Sequence, residues 1–210
     1  MKKTQLTIVA AALTVSILAG CSDPADKVHK SDTSAPKETT ATTTAASKTY
    51  VVSPESKIGF VGSKVTGSHN GGFTNFSGTI SVADGKVVTP SEIQIAMAST
   101  WADADKLIGH LKSPDFFDAE KFPTSAFTVT GIAPGQGGTN DVTGNLALHG
   151  VTNSISFPAK IEVADAGVTV KAEFAINRKN FNINYPGKAD DLIRDNVVIK
   201  LDLTAAPGTK

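Results

Sequence analysis

The stretch Val168-Thr169-Val170-Lys171-Ala172-Glu173-Phe174-Ala175-Ile176 decides how this chain folds. Val168, Val170, Ala172, Phe174 and Ile176 share one parity, and Thr169, Lys171 and Glu173 share the other. A period of two sets the first group on one face of an extended strand and the second on the opposite face. A helix would scatter both groups around its circumference. The stretch therefore reads as a half-buried strand, apolar inside and polar outside.

The same alternation recurs on both sides of it. Upstream, Ile155, Phe157, Ala159 and Ile161 face away from Ser154, Ser156, Lys160 and Glu162. Val142, Gly144, Leu146 and Leu148 alternate with Thr143, Asn145 and Ala147, and Ile93, Ile95 and Met97 with Glu92, Gln94 and Ala96. Phe76, Gly78, Ile80 and Val82 alternate with Ser77, Thr79 and Ser81; downstream, Val197, Ile199, Leu201 and Leu203 oppose Lys200, Asp202 and Thr204. With Ile58/Phe60 and Phe127/Val129 this makes about eight one-faced strands. Turns such as Ala83-Asp84-Gly85 and Asp165-Ala166-Gly167 separate several of them. The pattern predicts an all-β domain over residues 49–206, as an antiparallel sheet closed on itself or two sheets face to face. One helical interlude is expected from Ala102 to Leu111, with Leu107, Ile108 and Leu111 on a shared face. Ser113-Pro114 then caps a short turn through Phe116 and Phe117, and this insert is expected over one barrel mouth or along the wall.

The N-terminus reads differently. Met1-Lys2-Lys3 is basic, and Leu6 to Leu18 is apolar or small throughout. About 13 such residues suit a signal peptide, whereas a bilayer-spanning helix needs about 20. The run ends in Leu18-Ala19-Gly20-Cys21, which resembles a bacterial lipobox, and Cys21 is the only cysteine. Residues 1–20 are thus expected to be cleaved and Cys21 to carry a thioether-linked diacylglycerol. Two or three acyl chains, at about 0.8 kcal/mol per buried CH₂, anchor a protein stably. Ser22 after the cysteine implies, by resemblance to enterobacterial sorting, a cell-envelope protein on the outer membrane facing the periplasm. Residues 21–48 hold almost no large apolar side chains, so they are expected to be a disordered tether with a reach of about 30 Å. His29, within it, reads as solvated.

Composition narrows the function. The 210 residues carry 20 basic and 20 acidic side chains, and the part from Thr49 onward is slightly acidic. Nothing resembles the basic footprint that neutralises phosphates, so nucleic acid is excluded as a partner. A single cysteine excludes an internal disulfide and any thiolate metal cluster. His69, His110 and His149 are too scattered for an HExxH zinc helix. No nucleophile elbow or phosphate loop is present, and Asp103/Asp105 and Asp190/Asp191 read as cap and loop residues. No metal, cofactor or enzymatic activity is expected.

Four stretches carry a resemblance. They are Asp105-Lys106-Leu107-Ile108-Gly109-His110-Leu111-Lys112-Ser113-Pro114-Asp115-Phe116-Phe117-Asp118 with Phe122-Pro123, Leu146-Ala147-Leu148-His149-Gly150-Val151-Thr152, Ile176-Asn177-Arg178-Lys179-Asn180-Phe181, and Ile193-Arg194-Asp195-Asn196-Val197. In this order they resemble the YceI-like, or polyisoprenoid-binding, family. Asn180 and Asn182 depart from it, because the family often has an acidic residue and Gly around Phe181. The resemblance implies a lipocalin-like eight-stranded antiparallel β-barrel around a long apolar chain, an isoprenoid or fatty-acid derivative. The expected role is transport, storage or sequestration of that lipid by an anchored envelope protein. A structural or interaction module with a packed barrel and a lipid-modifying enzyme are the alternatives, and a homodimer is left open. The expected ligand-binding residues are Phe60, Gly62, Phe76, Gly78, Ile95, Leu111, Phe116, Phe117, Phe127, Gly144, Leu146, Phe157 and Phe174. His110 and Arg178 are the headgroup candidates, although a buried Arg178 requires a partner of its own. Gly62, Gly78 and Gly144 share the inward parity of their strands, which predicts space there for a ligand to fill.

Overall fold

The computed structural model describes residues 22–39 and 47–208. The expected signal peptide, Cys21 and residues 40–46 of the expected tether lie outside the described residues. The strands are β1 Lys48–Val52, β2 Lys57–Lys64, β3 Gly67–Phe73, β4 Phe76–Ala83, β5 Lys86–Ala96 and β6 Thr100–Ala102. They continue with β7 Thr124–Pro134, β8 Asn140–Leu148, β9 Val151–Ala164, β10 Gly167–Asn177 and β11 Asn196–Pro207. Pairing runs antiparallel in the order β10–β9–β8–β7–β5–β4–β1–β11. β10 then pairs with β11, from Val168↔Ala205 to Asn177↔Asn196, and closes an 8-stranded barrel. β11 is shared: Ala205–Pro207 pair with β1, and Val198–Asp202 pair with β2. β2, β3 and β6 therefore extend one end of the wall, called the upper end below.

The lower end is packed solid. Tyr50, Val52, Ile80, Val82, Val168 and Ala205 form one buried cluster there, and Tyr50 Oη donates to Ala164 O at 3.3 Å. The turn beside it places Asp84 and Gly85 at φ 50° and 70°, the type I′ geometry that matches strand twist. The upper end carries helix α1, Asp105–Lys112, and the loops from residue 178 to 195. α1 starts later than the expected Ala102, because Ala102 still belongs to β6. Asp103 then ties the chain to β3, accepting the Asn70 N–H at 2.7 Å and lying 2.7 Å from His69 Nδ1. The Asn70 N–H bond, reinforced by His69, holds the Asp103 carboxyl below the usual carboxylate range.

Residues 22–39 are not the disordered tether that their composition predicts. Asp23 caps a short 3₁₀ helix, Pro24–Lys27, and Ala25 is fully buried against Val61, Ala175 and Val198 on the outside of the wall. Next, His29–Lys30 pair with Phe174–Ala175 of β10, and Thr33–Ser34 pair with Ile155–Ser154 of β9. β9 and β10 pair with each other only from Lys160↔Lys171 to Ala164↔Gly167. Above that they part, and the N-terminal segment lies in the gap as a strap. His29 Nε2 sits 3.2 Å from Ser156 O, so this residue is also not merely solvated. Two unpaired strand edges supply main-chain donors and acceptors, which order a segment without large apolar side chains.

Removing the strap therefore has a cost. A chain beginning at Lys48 is expected to be about 2–4 kcal/mol less stable than one beginning at Ser22, from several net hydrogen bonds and the uncovered patch around Ala25. Urea unfolding of the two forms measures this, and coincident midpoints would refute it.

Candidate functional site: an apolar cavity in the barrel

Above the packed end the barrel is hollow. The upper half encloses a cavity of about 180 Å³, and a second of about 70 Å³ lies beneath it. Ile93, Phe127, Phe157, Leu201 and Leu203 wall both, so the two chambers adjoin. Phe157 and Phe174 stack with centroids 3.9 Å apart and planes 2° apart. Among the described residues, only Ser125 and Arg178 bring polar side-chain groups to the upper wall. Ser125 Oγ donates to Ala147 O at 2.8 Å. Such a wall offers water no partners, and apolar cavities of about 150 Å³ stay dry and take up apolar molecules.

Phe60, Gly62, Ile95, Leu111, Phe116 and Phe117 line the upper cavity, as do Phe127, Leu146, Phe157, Phe174 and Arg178. A Cβ built on Gly62 would meet nothing within 4 Å, so this glycine faces open space. The other two glycines differ. At Gly78 the space is taken by the Ile93 side chain and Glu92 O, and at Gly144 by the Phe127 ring from the neighbouring strand. Both are corrections to the expectation of vacant volume: a ring or branch from an adjacent strand covers the glycine. Phe76 also leaves the lining, packing against the lower cluster. His110 does too: its Nε2 lies 2.8 Å from Asp115 Oδ2, and its ring stands edge-on to Phe116 and Tyr185. It braces the cap from outside.

Several lining residues were not singled out in the sequence. Ile58, Ile155, Ile176, Ile199 and Leu201 line the cavity and follow the parity already described. Ile183 and Ile193 come from an irregular loop, where no period marks them. With Leu111, Phe116 and Phe60, Ile183 forms a buried cluster that caps the cavity.

Arg178 holds that cap in place. It is 4% exposed, and its Nε, Nη1 and Nη2 donate to Arg194 O, Ile183 O and Ile193 O at 3.1, 2.7 and 3.3 Å. Asp195 Oδ1 lies 3.7 Å from Nη2. Burial pushes the guanidinium below its ordinary pKa, and Asp195 opposes the shift; the group stays charged. The expected headgroup role gives way to that of a strut, because this fork is turned onto main-chain carbonyls. His69 is engaged by Asp103, and His149 Nδ1 lies 3.1 Å from Phe181 O. Among the described residues, no group of three or more His, Cys, Asp or Glu side chains is placed to hold a metal.

A barrel of this kind has relatives. The family model described as the YceI-like domain matches residues 50–205. The chain belongs to the YceI-like family. A UPF0312 protein of Pseudomonas putida strain F1 is 30% identical over 151 residues, covering 66% of this chain and 78% of that protein. The UPF0312 protein of Pseudomonas fluorescens SBW25 is 29% identical over 157 residues, or 69% and 81% of the two chains. Among solved structures, Burkholderia cenocepacia BcnA superposes with a TM-score of 0.65 at 25% identity, covering 72% of this chain and 97% of its own. A polyisoprenoid binding domain from Saccharophagus degradans gives 0.63 at 21% identity, with 77% and 99% covered.

In this YceI-like chain the departures at Asn180 and Asn182 acquire a physical role. Asn182 ends the Arg178–Phe181 turn at φ 58°, a left-handed conformation that Asn tolerates better than most residues. Asn180 Nδ2 donates to Thr33 Oγ1 at 2.9 Å, and Asn180 O accepts from Asn153 Nδ2 at 2.8 Å. One asparagine turns the chain, and the other fastens the strap.

Proposed function

We propose that this YceI-like protein is a cell-envelope lipoprotein that holds a long apolar chain, isoprenoid or fatty-acyl, inside its barrel. The observation that carries the reading is the upper cavity wall, where its two polar side chains, Ser125 and Arg178, spend their hydrogen bonds on the protein's own carbonyls. A ligand there is recognised by its length and its lack of polarity, at about 0.8 kcal/mol for each buried CH₂. A chain longer than the upper chamber continues past Phe127 and Phe157 into the lower one. The polyisoprenoid binding named for the Saccharophagus domain agrees in ligand class. Transport, storage or sequestration of that chain is the role that such an enclosing wall supports. Organic extraction and mass spectrometry of the full chain purified from membranes tests this, and protein free of any apolar small molecule would count against it.

The anchor part of the proposal rests on Leu18-Ala19-Gly20-Cys21. Cys21→Ser is expected to move the protein from the membrane fraction to the soluble fraction while leaving its melting curve unchanged. A Cys21→Ser protein that has lost residues 1–20 and still sediments with membranes would remove the anchor from the reading.

A further inference from the structure

Among the described residues the large exposed apolar side chains are Val51, Val65, Trp101 and Leu192. Val51 pairs with Thr79 and Ala206 near the lower end, and Trp101 pairs with Gly72 within the wall. Val65 and Leu192, 54% and 50% exposed, lie side by side on the upper rim, where the Val65 N–H donates to Leu192 O at 3.2 Å. Beside them the Asp191 carboxylate takes an ion pair from Lys64 and hydrogen bonds from Thr66, and the Lys64 bond above all holds it below the usual carboxylate range. The rim is therefore apolar at its tips and charge-compensated just behind them.

The strap begins at this same rim. Asp23 Oδ1 lies 3.4 Å from Ser63 Oγ, and Asp23 Oδ2 lies 3.7 Å from Arg194 Nη1. Ser63 and Arg194 are each two residues from one of the exposed tips in sequence. Cys21 precedes Asp23 by two residues, so at most about 7 Å of backbone separates the two. A free tether would give about 30 Å of reach instead.

We propose that the upper rim, tipped by Val65 and Leu192, docks on a lipid bilayer and is pressed there by the strap. The docking rests on the anchor reading above, and only its bearing on lipid passage rests on the ligand reading. Its consequence is orientation: Ile193, next to Leu192, lines the cavity, so the capped end of the lumen faces the membrane. An apolar chain then passes between bilayer and barrel without crossing water.

The test uses the full, acylated chain on phosphatidylcholine–phosphatidylglycerol vesicles containing bromine-labelled acyl chains. Acylation consumes the native thiol, so a fluorophore attaches only at Val65→Cys or, on the lower turn, at Asp165→Cys. Quenching is expected to be about threefold greater at the rim position, the behaviour of side chains inserted into the headgroup boundary. A flexible linker of about 20 residues between Ser22 and Asp23 is expected to bring the rim signal down to that of the lower turn. Equal quenching at both positions in the unextended chain overturns the docking, as does a rim signal that survives the linker undiminished. An intact mass lacking acyl chains overturns the anchor and the proposal with it. An empty cavity on extraction removes only the ligand reading, and quenching still decides the docking.

Discussion

Gly144→Leu is expected to unfold the barrel, and Gly62→Leu to leave it folded while emptying it of ligand. The two glycines have the same parity in sequence and opposite surroundings in space. At Gly144 a new Cβ would run into the Phe127 ring and would stand 2.6 Å from Thr128 O. The ring can swing, but the carbonyl belongs to the β7 ladder and cannot yield without breaking pairing. Overpacking of this kind costs about 1–3 kcal/mol when side chains alone adjust, and more when backbone must move. Gly62 has nothing within 4 Å of the added Cβ and borders the upper cavity. A leucine there fills vacant volume, gains apolar burial and removes the strand-weakening freedom of glycine. Circular dichroism melts and native mass spectrometry on both variants decide the matter. Retained ligand in a folded Gly62→Leu protein would place the binding volume elsewhere.

Arg178→Met is expected to cost about 3–5 kcal/mol, because it leaves three carbonyls of the cap without their charged donor in a buried setting. Ile183, Ile193 and Arg194 supply those carbonyls, so the damage should concentrate where the loop crosses the cavity. Arg178→Lys keeps the charge but not the planar fork, and is expected to recover only part of the loss. The urea midpoint reports the size of the effect, and amide exchange in residues 183–195 reports its location. Full stability in Arg178→Met would mean that the cap is held by Leu111, Phe116 and Ile183 packing alone.

Much of the barrel was legible because parity is a local property. Val168 to Ile176 alternates, and each such run maps onto a wall strand with its apolar side inward. β3 escaped notice because Gly67-Ser68-His69-Asn70-Gly71-Gly72 has no apolar alternation. Its inner face is supplied from β2, where the Phe60 ring lies over Gly71. The same reason defeated the glycine argument at Gly144: what covers a glycine is attached to another strand, and parity within one strand is blind to it. The strap escaped for a different reason. Its order comes from main-chain bonds to strand edges, and composition records only side chains. The cap residues Ile183 and Ile193 sit in irregular backbone, so no period could have assigned them to the cavity.

The strap also sets an order of events. Ser31 Oγ bonds to Ser156 O across 125 positions of chain, so the strap waits for partners synthesised well after it. Contacts of such long range close slowly and late. Until they close, the upper edges of β9 and β10 are open templates for any extended segment of matching register. The strap of a second copy has that register too. Two barrels that traded these segments would satisfy every main-chain bond that one barrel satisfies alone, so the strap must find its own barrel before it meets another.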